Sequence, residues 1–531
     1  MLEKLTPQVR IILATVLSFG FFALYDHFFI PKTPLAETNA TTTAQPSTPS
    51  TQNAPEVKTP TSNDVASSPA AAKTTETAEA IVVVKAPSYE LEIDKLGRIV
   101  RFYLLENKYK DDKGERFQLI DASQGVLPLE IRFNDKALNT SAFSTPYSAD
   151  KSAVIVSENS NATVTLTQLL GDIVVTKTLT FYPAGNYDLH VKINQPKDYF
   201  ITAGIRPSVA LDSYTFHGSL IKKTDDTIKT IDDGSAKTEE RFDKARMVAN
   251  SDKYYTTLMY DFTKGLDSVI TVGKENNPVV FIKGNDDFKV GGYIGPKDFK
   301  LLKSINPELT DVVEYGFFTF IAKPLFTLLS FLYGVFGNWG WAIVVMTIIV
   351  RLALYPLTYK GMVSMNKLKE LAPKVKELQK KYADDKQKLN MHMMELYKKN
   401  GANPMGGCLP ILLQIPVFFA VYRVLQNAIE LKGAPWILWV KDLAVMDPYF
   451  ILPVAMGITM FLHQKITPTT FTDPMQEKIM KYLPLIFTFF FVTFPAGLTL
   501  YWFTNNLASI VQQFYVNRIF AKKHEAQKVE K

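Results

Sequence analysis

One cation stands where lipid is the expected solvent. Residues 344–358 read VVMTIIVRLALYPLT, and Arg351 sits inside a run otherwise fit for a bilayer. An arginine at such depth costs about 2.5–3.5 kcal/mol on insertion scales. Thr347, Tyr355 and Thr358 lie four before, four after and seven after it, a spacing that puts all four on one helical face. Snorkelling alone would explain a stray charge, since Thr358 is about 10 Å further along the helix. The polar neighbours argue instead for a wet face. None of the five apolar C-terminal segments contains Asp or Glu, so Arg351 has no carboxylate partner at its depth. It must find water, lipid phosphate or a group on a substrate. Gln414, Tyr501, Thr504, Asn505 and Asn506 offer neutral polar groups from other segments. The simplest picture is a water-filled, positively charged concavity open toward the cytoplasm.

The rest of the sequence offers little bond-making chemistry. HExxH, GxSxG and paired cysteine ligands are missing, and GANPMGG at 401–407 lacks the GK[ST] of a phosphate loop. Ser364 and Ser509 have no histidine nearby in sequence. The single cysteine, Cys408, forms no intramolecular disulfide and reads as a small buried residue. The lack of intramembrane acids argues against a proton-coupled transporter, and His463 reads as an interfacial residue at the end of its segment. The expectation is a protein with no cofactor, no metal and no enzymatic step. Two rivals stay open: a polytopic solute transporter with an accessory periplasmic domain, and an anchored periplasmic sensor.

The elements that must hold Arg351 differ sharply along the 531 residues. Residues 1–30 read as an uncleaved transmembrane anchor, because the apolar core is long and no A-x-A site follows it. Residues 31–80 are rich in Thr, Ala, Pro and Ser, with no aromatic between Phe29 and Tyr89, and read as a disordered periplasmic tether. From 81 to 310 the period becomes two. YELEIDKLGRIVRFYLL turns at Leu96-Gly97, and ATVTLTQLLGDIVVTKTLTFYPAGNYDLHVKI gives three short strands. That pattern predicts an all-β sandwich.

The region 311–337 reads as an interfacial amphipathic helix, and 338–519 as a core of five transmembrane helices. Pro410, Pro416, Pro453, Pro484 and Pro495 are expected to interrupt its spans. The stretch 359–404 carries eleven lysines against five acidic residues, which places it in the cytoplasm. Within it, Leu368, Leu371, Val375, Leu378 and Tyr382, then Leu389, Met393 and Leu396, recur at helical spacing around Ala383-Asp384-Asp385. This predicts a helical hairpin with a lysine-rich docking surface, its first arm kinked at Pro373. Residues 520–531, with Lys522 and Lys523, form a basic cytoplasmic tail. The net reading is six spans with both termini in the cytoplasm and the large domain outside the inner membrane.

The stretches GNWGWAIVVMTIIVRLALYPLT, YADDKQ, NPMGGCLPILLQIPVFFAVYRVL, DPYFILPVAMGITMFLHQKITPTTFTDPMQEKIM and FPAGLTLYWFTNNLASIVQQ resemble the YidC/Oxa/Alb family of membrane protein insertases. VTKTLTFYPAGNYDLHVKI and GGYIGPKD extend the resemblance to the periplasmic domain of its Gram-negative type. The resemblance implies a β-supersandwich outside the membrane and a hydrophilic groove within it. That groove takes up the polar part of a nascent membrane protein. It implies groove roles for Arg351, Thr347, Tyr501 and Trp502, to which the polar reading above adds Gln414, and partner-binding roles for Asp384 and Asp385 of the hairpin; Lys522 and Lys523 of the short tail are expected to join them. The implied partners are nascent membrane proteins, the ribosome, the Sec translocon and the phospholipid bilayer. Nucleic acid would be met only through the ribosome.

Overall fold

The computed structural model describes residues 79–109, 116–207, 215–382, 385–403, 409–467 and 474–529. The expected anchor, the tether up to residue 78, Asp384 and Cys408 lie outside the described residues. The chain divides into two compact units, Met1–Pro296 and Lys297–Lys531.

The first unit is built of three sheets. The largest has nine strands, in the order Ile228–Asp232, Gly218–Lys222, Met247–Ser251, Tyr255–Tyr260, Asp287–Pro296, Asn186–Ile193, Ile173–Phe181, Ala162–Leu170 and Ser148–Ala149. Two five-stranded sheets accompany it. Pairing is antiparallel except between Ala80–Lys85 and Ala153–Ile155. The strands expected within 162–193 form as read, turning at left-handed Gly171 and Gly185. Their alternation is strict: Val164, Leu166, Gln168 and Leu170 are buried, as are Val175, Lys177, Leu179 and Phe181. One short helix, α1 (Lys136–Ser144), starts where Asp135 accepts the Leu138 N–H at 2.9 Å.

GGYIGPKD has a packing reason. Gly291 pairs with Tyr260 and Gly292 with Tyr187 across the two neighbouring strands. A Cβ on Gly292 would stand 2.1 Å from Tyr187 Cζ, and one on Gly291 2.5 Å from Tyr260 Cζ. Two tyrosine rings therefore lie flat over adjacent glycines, which only a missing Cβ permits.

A lysine lies in this apolar interior. Lys177 is buried, and its Nζ donates to the carbonyls of Gly97 at 2.9 Å and Leu129 at 2.8 Å, over the Tyr147 ring. Gly97 and Leu129 both have left-handed backbones, so the ammonium pins two tight turns. Beside it Arg98 donates to Asp94 at 2.7 Å and to Glu130 at 3.1 Å, and Arg132 Nε donates to Glu130 at 2.8 Å. Burial pushes Lys177 down to about 7, with Arg98 acting in the same direction and Asp94 and Glu130 opposing.

The second unit is helical: α2 (Phe299–Ile305), α3 (Thr319–Phe336), α4 (Trp339–Lys381), α5 (Lys386–Lys399), α6 (Leu409–Asn427), α7 (Ile451–Ile466), α8 (Pro474–Phe491) and α9 (Ala496–Val529). The second unit opens with α2, which packs on the other helices. The Phe299 N–H donates to Glu430 at 2.9 Å, and the Phe299 ring meets Phe326 at 5.0 Å. Helix α3 buries Ala322, Leu325, Phe326, Leu329 and Leu332 on one face and exposes Phe320, Phe331 and Val335 on the other. By length and composition alone, Gly316–Phe336 and α4 are the two described segments long and apolar enough to cross a membrane.

The arm and span that the sequence separates are one helix. Helix α4 runs unbroken through Pro356 and Pro373, and its far half meets α5 through Leu368, Leu371, Leu396 and Tyr397. Asp385 caps α5 by accepting the Lys388 N–H at 3.0 Å. The last span and the tail are also one helix, α9, since no Gly or Pro falls between Leu498 and Val529.

The expected prolines divide into two groups. Only Pro416 and Pro484 are interior to their helices. Pro410 and Pro453 occupy first turns, where no helical N–H is lost, and Pro495 directly precedes α9. Pro484 cannot donate to the Met480 carbonyl, and Gln464 of α7 donates to that carbonyl instead.

Candidate functional site

Arg351 reaches across the bundle. Its Nε donates to Asn505 Oδ1 of α9 at 2.6 Å, and its Nη2 donates to Gln414 Oε1 of α6 at 3.2 Å. The residue is 9% exposed. No ion pair to Arg351 occurs among the described residues. Both acceptors are neutral amides, so the cation is anchored but not neutralised.

Two spaces meet at this side chain. A recess of about 10 Å³, the size of one water site, is lined by Thr347, Leu354, Thr358, Gln414, Tyr501 and Asn505. A larger cavity of about 570 Å³ shares Arg351, Gln414 and Asn505 with it. Its other lining is mostly apolar, with a few polar groups. Met460, Met480, Leu483 and Phe487 are apolar, whereas His463, Gln464, Ser509 and Gln513 are polar. The arrangement can hold a polar chain segment against a cation on one side and an apolar segment against Met and Phe on the other. It presents no nucleophile–base pair. The Ser364 hydroxyl donates to the Asn403 carbonyl at 2.9 Å, and Ser509 donates to the Asn505 carbonyl at 2.8 Å.

Comparison with known proteins identifies the family. A model described as 60Kd inner membrane protein matches residues 331–524, and a YidC periplasmic domain model matches 81–328. A Campylobacter jejuni protein named membrane protein insertase YidC is 54% identical over 523 residues, covering 98% of each chain. The chain belongs to the YidC membrane protein insertase family. Proteins of the same name from Wolinella succinogenes, at 53% identity, and Helicobacter pylori strain 26695, at 48%, cover 99% and 98% of this chain and 97% and 98% of their own lengths. The family is one of inner-membrane proteins with a β-rich periplasmic domain, here the first unit.

Within this YidC family chain, the five expected groove residues come together only in part around Arg351. Thr347, Gln414 and Tyr501 line the recess. Thr347 is buried and donates its hydroxyl back to the Ile343 carbonyl at 2.7 Å, so its proton is used locally and only the Oγ1 lone pairs face the recess as acceptors. Trp502 lies on the other side of the helix and lines the larger cavity. Its ring is caged by Phe418 at 4.7 Å, Phe491 at 5.3 Å and Phe487 at 6.2 Å, and its Nε1 has no hydrogen-bond partner among the described residues. Tyr355 does not join them. A residue four further on is rotated by about 40°, and its ring packs on Tyr359 at 5.8 Å. Leu354 takes its place in the recess.

Two lining residues add to the sequence reading. His463, three residues before the end of α7, lines the larger cavity. Asn505 makes the shortest contact to Arg351, yet nothing in the sequence distinguishes it from Asn506, whose Nδ2 points instead to the Met456 carbonyl at 3.5 Å. Their neighbouring positions on α9, about 100° apart, decide this.

At the hairpin, the Asp385 carboxyl is held below its usual range by the Lys388 backbone N–H and ammonium. Tyr382 stacks on His392 at 4.8 Å beside that turn. Lys522 is exposed on the last turns of α9. The side chain of Lys523 lies outside the described residues.

Proposed function

We propose that this chain inserts and folds nascent inner-membrane proteins, alone or with the Sec translocon, through the groove around Arg351. The observation that carries the reading is an un-neutralised arginine held by Asn505 and Gln414 at the edge of a largely apolar cavity of about 570 Å³. Arg351 draws the polar, acidic part of a substrate into the groove, which shortens its path through lipid. Partition of the apolar segment into the bilayer, near 0.8 kcal/mol per buried CH₂, then drives release. No bond is made or broken.

The reading includes a topology. Six spans, with 1–30 as the first and α3 lying on the outer face, put both termini and the lysine-rich 359–404 hairpin in the cytoplasm. The hairpin, whose sequence carries Asp384 and Asp385 between its arms, and the basic tail 520–531 then face the ribosome and the Sec translocon. A solute transporter has no support from the relatives, all of which carry the name insertase.

The test is insertion of a single-span substrate into proteoliposomes holding the purified chain, read by protease protection. Liposomes with the chain are expected to insert several-fold more substrate than empty ones. Photo-crosslinkers at 347, 351 and 502 are expected to capture a stalled nascent chain. Equal insertion with and without the chain overturns the proposal.

A further inference from the structure

We infer that Asn505 is the positioning residue of the membrane arginine, chosen as an amide so that it fixes the guanidinium without cancelling its charge. This rests on the groove reading above. The Nε contact at 2.6 Å is shorter than the Nη2 contact to Gln414 at 3.2 Å, so Asn505 is the primary anchor. Nε is also the guanidinium nitrogen nearest the stem, and a bond there sets the plane of the whole fork. Asn505 is itself confined by burial, at 4% exposed, on a helical turn where its backbone carbonyl also takes the Ser509 hydroxyl at 2.8 Å.

The chemistry of the acceptor decides the consequence. A guanidinium has five N–H donors. The two amides use two of them, which leaves three for an incoming carboxylate. An aspartate in place of Asn505 would have nearly the same shape and would accept the same bond. It would also satisfy the charge internally, so an acidic substrate segment would gain little from Arg351. Substrate preference for acidic segments therefore depends on an uncharged side chain that touches the arginine and not on the arginine alone.

The experiment uses the full chain in proteoliposomes with two single-span substrates. They are identical except that two acidic residues in the translocated segment of one are amides in the other. The quantity read is the ratio of acidic to neutral insertion. Wild type is expected to favour the acidic substrate. Asn505→Asp is expected to lower the ratio by at least about threefold, the scale that an exposed charge pair already reaches. Asn505→Gln keeps a neutral acceptor and is expected to restore part of the ratio. A merely structural role would lower insertion of both substrates together and would not separate Asp from Gln at this position. A ratio unchanged in Asn505→Asp, with normal thermal stability, overturns the role of Asn505 alone. Failure of the wild type to insert either substrate overturns the groove reading beneath it.

Discussion

Gln464 of α7 donates its amide to the carbonyl of Met480 in α8, the carbonyl that Pro484 leaves without a helical partner. The groove lining is thus tied across two helices at the point where one helix is incomplete. Both residues line the larger cavity, so the tie also sets its width. Replacing Gln464 with Leu should leave a half-buried carbonyl unpaired and cost about 1 kcal/mol. Pro484→Ala supplies the missing N–H, and in that background Gln464→Leu should cost much less. Melting temperatures of the four proteins in one detergent give the coupling directly; additive effects would contradict the pairing.

Arg351→Lys should keep part of the insertion of acidic substrates and Arg351→Ala almost none. Arg351 bridges Asn505 and Gln414 with two different nitrogens in one plane. A lysine ammonium is a single point charge and can hold one of these acceptors well, not both. The loss of one charged hydrogen bond is worth about 1.5–3 kcal/mol. Insertion rates of one acidic substrate by the three proteins check the order, and equal rates for Lys and Ala would show that charge is not what matters.

Gly292→Ala should destabilise the β unit by about 1–3 kcal/mol, because its Cβ would stand 2.1 Å from Tyr187 Cζ. Tyr187→Leu should relieve most of that cost in the double variant. Amide exchange across Asn186–Ile193 and Asp287–Pro296 in the full-length protein reads the effect on both paired strands.

Lys177 should make the stability of the β unit rise with pH. Its folded-state value is about 7 against an ordinary 10.5. Between those values the unfolded chain binds more protons than the folded one, so stability grows as pH rises through that window and is flat below it. The slope is at most about 1.4 kcal/mol per pH unit for one group. Exchange protection of Ile173–Phe181, compared between wild type and Lys177→Met at pH 7 and pH 9, isolates it. The difference between the two proteins should change with pH, and a constant difference would place the lysine's protonation elsewhere.

Much of this protein is set by the sequence alone. Period-two alternation with glycine breaks was enough to place the strands from Ala162 to Ile193, because each strand buries one face and a slip of one residue would expose it. The absence of acids from the apolar segments, readable before any fold is known, already excludes a carboxylate partner for Arg351 within them. Local reading also placed the Asp385 turn, where a side-chain cap acts within three residues.

The tertiary structure decided which neutral partner. Arg351 and Asn505 are 154 positions apart, and Asn505 and Asn506 are indistinguishable as residues. Only the rotation of α9 against α4 turns the first toward the cation and the second toward Met456. The same holds for Lys177, which follows the buried side of a strand like any apolar residue. Its tolerance depends on two carbonyls that distant turns bring to it. Pro484 likewise reads as a simple interruption until α7 is packed beside it and supplies the missing donor. Periodicity fixes which face of an element is buried, but long-range pairing of single polar groups is settled only when the elements are docked.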